Sequence, residues 1–310
     1  MIVVFGSINV DLVFRVEALP APGETVLTDA YAVHPGGKGA NQAVAAARAG
    51  GTVAMVGSVG PDGFGERARE ALAAAGVDVR FLSLSERATG CAAIGVDGQG
   101  RNAITVASGA NLDASHESVP DEFLASGTVV LLQNEVRVEQ NLLLARRAAA
   151  RGARVVLNAA PARPLRTKEW AGLLHALVMN EAELAGIVGP ERAAETAHAA
   201  SGLARRLGAT VIATLGEAGA VAVAAAGDGW QIGALPLDRA VDTTAAGDCF
   251  VGVYGQGVAA GLDVAAALRR AGVAAGLACT RAGAQPSLPE AAEIDAHLDR
   301  LPPAMPLRRE

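Results

Sequence analysis

Short apolar runs rich in β-branched residues, at positions 2–5, 52–56, 128–132, 154–157, 176–179 and 210–214, alternate with alanine-rich stretches at helical spacing, at 40–49, 64–75, 138–150 and 193–207. Runs with no polar alternation are strands covered on both faces, and helices between them supply the cover. The pattern therefore predicts an α/β sandwich with a mainly parallel central sheet. Two regions break the rhythm. Residues 12–16 with 25–33, and 89–96 with 102–107, read as extended pairs turned at Pro20-Ala21-Pro22-Gly23 and Asp97-Gly98-Gln99-Gly100. They predict a small β-sheet projecting from the body, suited to be a lid, although pattern alone fits two plain surface hairpins equally well. Beyond Gly247 the chain is helical through 265–277 and crosses 280–286 into a last helix near 291–298. No repeat or linker divides it, so the expectation is a single domain over 1–310 with the lid, about 12–34 and 89–107, inserted in it.

The chemistry lies at the junctions. Asp242-Thr243-Thr244-Ala245-Ala246-Gly247-Asp248 is a turn of small residues opening a helix that runs on through Phe250 and Val253. Ala245, Ala246 and Gly247 have almost no side chain to obstruct a phosphate, so their N–H groups and the helix N-terminus form a candidate anion hole. Asp248 stands within reach of that anion as a candidate general base for an attacking hydroxyl, in a reaction otherwise catalysed by positioning and charge neutralisation. Taken alone, Asp248 also fits an ordinary helix cap.

Gly36-Gly37-Lys38-Gly39-Ala40-Asn41-Gln42 looks like a nucleotide loop, but Gly39 stands where a P-loop needs Ser or Thr and Ala32 where it needs its first glycine. No strand–GxGxxG–helix unit is present either. The segment offers exposed backbone at a helix start and, in Asn41, an amide that both donates and accepts, which suits a polyhydroxylated small molecule. Asn9 and Asp11 follow the first strand, where open α/β sheets place their ligands; each also fits a capped turn.

A net charge of −6 without a Lys/Arg cluster excludes a nucleic-acid partner, and 51% hydrophobic residues suffice for a large core. Cys91, Cys249 and Cys279 lack Cys-x-x-Cys spacing and the five histidines form no ligand-spaced pair, so neither a disulfide framework nor a structural zinc site is expected. No apolar run reaches membrane-spanning length and the first residues lack a signal peptide's basic region, which makes a soluble cytoplasmic protein the expectation.

Gly6-Ser7-Ile8-Asn9-Val10-Asp11, Pro22-Gly23-Glu24-Thr25, Gly36 to Ala43, Asn180-Glu181-Ala182-Glu183, Asp242 to Asp248 and Gly283-Ala284-Gln285-Pro286-Ser287 resemble, in order, the signatures of the ribokinase-like family of ATP-dependent sugar kinases. The resemblance spans essentially the whole chain. It implies that family's three-layer fold with a β-lid, and phosphorylation by MgATP of the terminal hydroxyl of D-ribose or a similar small sugar. It casts Asp248 as the base and Ala245, Ala246 and Gly247 as the anion hole. Asn9, Asp11, Gly37, Lys38, Gly39, Asn41 and Glu135 match sugar-binding positions. Asn180 and Glu183 match the motif that organises Mg2+ and the phosphates through water, a pair that also fits a capping box. Thr214, Gly216 and Gly219 match a turn on the ATP side. Gly272 falls where relatives often carry Asn or His near the adenine. Asp242, Thr244, Ala278, Arg281, Gly283 and Ser287 match a loop pair enclosing a monovalent cation such as K+, a pair that Arg281 alone would otherwise hold. The lid is also expected to form a homodimer, since a sheet face that covers a sugar intermittently leaves apolar surface to bury. Deoxyribose, fructose or a nucleoside is the rival substrate; the low aromatic content, 3%, disfavours the nucleoside. A catalytically silent sugar-binding regulator is the rival of a different class, against which an intact Asp248 speaks.

Overall fold

The apolar runs become strands whose two faces are both buried. In the computed structural model, which describes residues 1–307, the chain begins with β1 (Ile2–Phe5), β2 (Asn9–Arg15), β3 (Tyr31–Gly36), α1 (Lys38–Arg48), β4 (Val53–Val59), α2 (Gly63–Ala74), β5 (Asp78–Leu84), β6 (Gly90–Val96) and β7 (Asn102–Ala107). It continues through β8 (Val129–Gln133), α3 (Val138–Ala150), β9 (Arg154–Asn158), α4 (Thr167–Trp170), β10 (Ala176–Asn180), α5 (Glu181–Val188), α6 (Pro190–Ala193), α7 (Thr196–Leu207) and β11 (Thr210–Thr214). The last elements are β12 (Ala220–Val223), β13 (Gly229–Ile232), α8 (Ala246–Ala259), α9 (Val264–Ala278), α10 (Ala291–His297) and β14 (Met305–Pro306).

Ten strands form the main sheet in the order β14-β13-β12-β11-β10-β9-β8-β1-β4-β5. The strands from β11 to β5 pair in parallel, and the β12, β13 and β14 edge is antiparallel. Successive side chains enter opposite layers: Ile2 and Val4 join the core under α1, α8 and α9, while Val3 and Phe5 join the core under α3 and α7. The same split divides Val129 and Leu131 from Val130 and Leu132. This is the expected three-layer sandwich.

Four strands absent from the sequence reading are β5, β12, β13 and β14. β5 is an edge strand with polar Asp78, Arg80 and Ser83 among its apolar residues, and Ala220-Val221-Ala222-Val223 of β12 has too much alanine to separate strand from helix by composition. The helix expected over 193–207 is α7, beginning at Thr196, with α5 and α6 as separate short helices before it.

The remaining strands form the second sheet, ordered β3-β2-β6-β7. The two expected hairpins are both present, joined through a parallel pairing of β2 with β6. The strand expected over 25–33 is displaced to Tyr31–Gly36, because β3 must end with Gly36 opposite Asn9 for the chain to turn at Gly37, φ 89°, straight into α1. Pro35 is tolerated on this strand because β3 is an edge.

The α1–α8 crossing sets the site. A Cβ at Gly252 of α8 would lie 2.5 Å from the Gln42 carbonyl oxygen and 2.7 Å from the Ala45 Cβ, so the two helices meet at backbone contact. That contact brings the N-terminal turn of each helix to the same end of the sheet.

Candidate active site

Ser7 Oγ donates to Glu135 Oε2 at 2.5 Å, Lys38 N–H donates to the same oxygen at 3.0 Å, and Gly39 N–H donates to Ser7 Oγ at 3.2 Å. A carboxylate thus sits at the N-terminus of α1, where free N–H groups and the helix dipole favour it. Asn9 is oriented by Asn111, whose Nδ2 donates to Asn9 Oδ1 at 2.7 Å while its Oδ1 accepts Ile8 N–H at 2.8 Å. Asn9 and Asp11 lie on β2 itself, at the start of the small sheet, rather than in the loop after β1. Burial pushes the Asp11 carboxyl up to about 6, with Glu135 and Asp248 adding to the rise and Lys38 opposing it. The Lys38 ammonium is raised, first by Asp248 and then by Glu135, Glu183 and Asp11, against the cost of its own burial. One ammonium therefore answers four carboxylates, contributed by β2, the end of β8, α5 and α8.

At the mouth of α8, Ala245 occupies the left-handed region, φ 60° and ψ 8°, the sole non-glycine among the described residues with positive φ. Such a conformation in a residue with a Cβ costs on the order of 1 kcal/mol and concentrates at functional turns. The first bond of the helix runs from Cys249 N–H to the Ala245 carbonyl at 2.8 Å, and Ala246 N–H turns back to the Thr243 carbonyl at 3.2 Å. The Gly247 and Asp248 N–H groups, in the first turn of α8, have no acceptor within the helix. Of the expected hole over 245–247, the Ala246 N–H is engaged by the Thr243 carbonyl. A Cβ on Gly247 would meet nothing within 4 Å, so the space before it is open.

Asp248 is only 6% exposed, and each of its oxygens has a donor from α1: Asn41 Nδ2 to Oδ2 at 3.0 Å and Gln42 Nε2 to Oδ1 at 3.1 Å. Asn41 Oδ1 is buried without a partner. An orphaned acceptor beside a carboxylate is the complement of a ligand hydroxyl.

Asn180 and Glu183 form a reciprocal capping box on α5: Glu183 N–H donates to Asn180 Oδ1 at 2.8 Å and Asn180 N–H donates to Glu183 Oε2 at 2.9 Å. Burial raises the Glu183 carboxyl, partly offset by the Asn180 N–H and Lys38. Thr214 ends β11, and Gly216 and Gly219, both at positive φ, close a tight turn into β12. Gly272 lies within α9, where a Cβ would approach Leu301 Cδ2 at 3.3 Å.

Asp242 joins the two C-terminal loops. Its Oδ1 accepts Thr244 N–H at 2.9 Å and Thr244 Oγ1 at 2.6 Å, and its Oδ2 accepts Gly283 N–H at 2.9 Å. Burial works to raise its carboxyl, but these bonds outweigh it and hold the group below the usual carboxylate range. The Arg281 guanidinium pairs with Glu293, so it does not bind Asp242. Ser287 is fully buried and donates to the Ala284 carbonyl at 2.8 Å, while Arg48 of α1 donates to the Gln285 and Leu288 carbonyls at 2.8 and 2.7 Å. Among the described residues no three His, Cys, Asp or Glu side chains converge as a metal-holding group.

The sequence reading missed Ser7, Gln42, Asn111, Gln133 and Asn158. Gln133 and Asn158 carried a faint signal, since each is a lone amide following a run of apolar residues at the C-terminal end of its strand.

The chain matches the family model described as pfkB family carbohydrate kinase over residues 1–291. It is 38% identical over 291 residues to a ribokinase of Haemophilus influenzae, covering 92% of this chain and 94% of that one. It is 37% identical over 297 residues to a ribokinase of Bacillus subtilis, covering 95% and 98%. The structure of Arabidopsis thaliana ribokinase complexed with ribose and ATP superposes with a TM-score of 0.87 at 30% identity, over 96% of this chain and 98% of that one.

The Asp11 carboxyl, raised to about 6 from 3.8, generates a pH test. A raised carboxyl favours the folded protein while it is protonated, and that contribution is lost as pH rises through the folded value. Asp11→Asn should therefore unfold at higher urea than the parent at pH 7–8, by on the order of 1–2 kcal/mol, with the gain shrinking as pH falls from about 6 toward 4. Urea unfolding at several pH values measures it, and a gain independent of pH would refute the assignment.

Proposed function

The chain belongs to the pfkB family of carbohydrate kinases, and we propose that it transfers the γ-phosphoryl group of ATP to the 5-hydroxyl of D-ribose, giving ribose 5-phosphate and ADP. The observation that carries this reading is Asp248, buried and with a donor on each oxygen, beside both the orphaned Asn41 Oδ1 and the N–H groups of the first turn of α8. Similarity along nearly its full length to a ribokinase solved with ribose and ATP supports the choice of sugar.

The sugar lies among Asn9, Asp11, Asn41, Glu135, Lys38 and the backbone of Gly37 and Gly39, with one hydroxyl donating to Asn41 Oδ1. The 5-hydroxyl gives its proton to Asp248 as its oxygen attacks the γ-phosphorus, and the bond to the β–γ bridging oxygen breaks as ADP leaves. The Gly247 and Asp248 N–H groups face the charge that develops on the transferred group, from positions fixed before substrate arrives. The Ala246 N–H joins them only by leaving the Thr243 carbonyl. Thr214, Gly216 and Gly219 flank the nucleotide, and Gly272 leaves the adenine without a side chain from that position. The four-stranded sheet, inserted in a single α/β domain, covers the sugar as a lid.

Glu183 and Asn180 are the residues that would hold Mg2+, and the ion would supply charge neutralisation for the phosphates at a site where carboxylates outnumber the one ammonium. The loops joined by Asp242 would hold a monovalent cation among Asp242, Thr244, Ala278, Arg281, Gly283 and Ser287, and the ion would supply positive charge beside the turn at the mouth of α8. Turning the Arg281 guanidinium to Glu293 leaves that place without a positive charge from the arginine. The enzyme works in the reducing cytoplasm, a setting that suits its free cysteines. Tyr31, Ile104 and Val106, exposed by 60%, 53% and 47%, lie on β3 and β7 of the small sheet and form the contact of a homodimer.

A coupled ADP-release assay over pentoses, deoxyribose, fructose and nucleosides tests the substrate. Ribose should give the highest kcat/KM; a better rival replaces it, and turnover of none favours the sugar-binding regulator. Asp248→Asn should lower kcat by on the order of 10²–10⁴ while calorimetry shows sugar binding retained, and a loss of only a few-fold excludes Asp248 as the base. Potassium chloride titrated against choline chloride at constant ionic strength should raise kcat, whereas a flat response rejects the cation. In sedimentation the parent should run as a dimer and Ile104→Lys with Val106→Lys as a monomer; an unchanged mass rejects the lid contact.

A further inference from the structure

From Asp248 Oδ1 runs a line of buried amides that takes no part in the proposed binding of sugar or nucleotide. Gln42 and Gln133 are 0% exposed and Asn158 is 6% exposed. Their hydrogen bonds run in one direction. The Val178 carbonyl on β10 can only accept, and it takes Asn158 Nδ2 at 3.2 Å, which turns Asn158 Oδ1 toward Gln42. Gln42 Nε2 donates one hydrogen to Asn158 Oδ1 and the other to Asp248 Oδ1, both at 3.1 Å. With its nitrogen committed, Gln42 presents Oε1 to Gln133 Nε2 at 2.8 Å. An amide side chain fits its cavity in two orientations that exchange oxygen for nitrogen. Here the reverse orientation of Gln42 would face its oxygen to the carboxylate and to Asn158 Oδ1; Gln133, whose own Oε1 is buried without a partner, accommodates either orientation, so Asn158 makes the choice.

We propose that Gln42 is a positioning residue for the general base, its orientation set by Asn158 from β9 and its amide oxygen held by Gln133 from β8, so that Gln42 holds one oxygen of the carboxylate and Asn41 the other while a remaining lone pair takes the hydroxyl proton. The inference rests on Asp248 being the base. The charged groups acting on Asp248 are Lys38 from α1, Asp11 from β2 and Glu183 from α5, with the Cys249 thiol next to it on α8. None of these is altered by substitutions in the amide line. Losing a donor to a carboxylate disfavours its charged form, and a base works only in that form.

The test is the pH dependence of kcat at saturating ribose and MgATP, which reads groups in the ternary complex, for the parent, Gln42→Met, Gln133→Met and Asp248→Asn. Gln42→Met should lower kcat on the order of tenfold or more, leave KM for ribose within about twofold and move the acid limb up by about one pH unit. Gln133→Met removes no contact to Asp248 and should move the limb in the same direction by less. Urea unfolding identifies folded variants; if Gln42→Met does not fold, Gln133→Met decides alone. A limb superimposable on the parent's in a folded variant overturns the proposal. If Asp248→Asn keeps parental kcat, the base assignment itself is wrong; if it is inactive while the amide variants leave the limb unmoved, only the positioning role fails.

Discussion

A carboxylate withdrawn from water must find hydrogen-bond donors inside the protein, and Asp248 draws both of its donors from adjacent residues of one helix, Asn41 and Gln42 of α1. Amide side chains are short, so this demand fixes how closely α1 and α8 approach. The helices meet at Gly252, where any Cβ would collide with the Gln42 carbonyl. α1 is placed in turn by the turn at Gly37 and by Ser7, which ties the α1 backbone to Glu135 at the end of β8. The N-terminal turn of α1, the buried Asp248 carboxylate and the main sheet are therefore coupled through one crossing, and β2 of the small sheet joins them because it leaves β1 beside the same turn.

The site also stores cost. Asp11 is pushed up by burial among other carboxylates, Glu183 is raised by burial, and Ala245 is held in a conformation that suits glycine better. The rest of the molecule offsets these costs with two continuous apolar layers on either face of the main sheet. Four carboxylates around the single Lys38 ammonium leave the cleft with excess negative charge, which opposes the approach of an uncompensated anion. Asp242 contributes differently: its bonds to Thr244 and Gly283 brace the backbone just ahead of the left-handed turn at Ala245.

Much of this was legible in the residues. Apolar runs without alternation gave the parallel strands, because a strand buried on both faces has no polar side to show, and small residues before Asp248 marked a turn that lets an anion approach. The antiparallel edge was not legible, since alanine-rich β12 has no distinguishing period and β14 pairs through only two residues. Nor was the start of β3, which depends on where Gly36 must stand opposite Asn9.

By itself the sequence determined the layer architecture, the order of the motifs and the identity of the candidate base, since each is written in a local period or a contiguous turn. Only the tertiary structure decided that Ala246 N–H turns inward, that Arg281 goes to Glu293 rather than to Asp242, and that Gln42, Gln133 and Asn158 line up behind Asp248. The amide line joins residues about 90 to 210 positions apart, the Arg281 pairing spans 12, and the turn at Ala246 hinges on one dihedral angle. A hydrogen bond is set by the distance and direction between two groups, and no local pattern along the chain carries either.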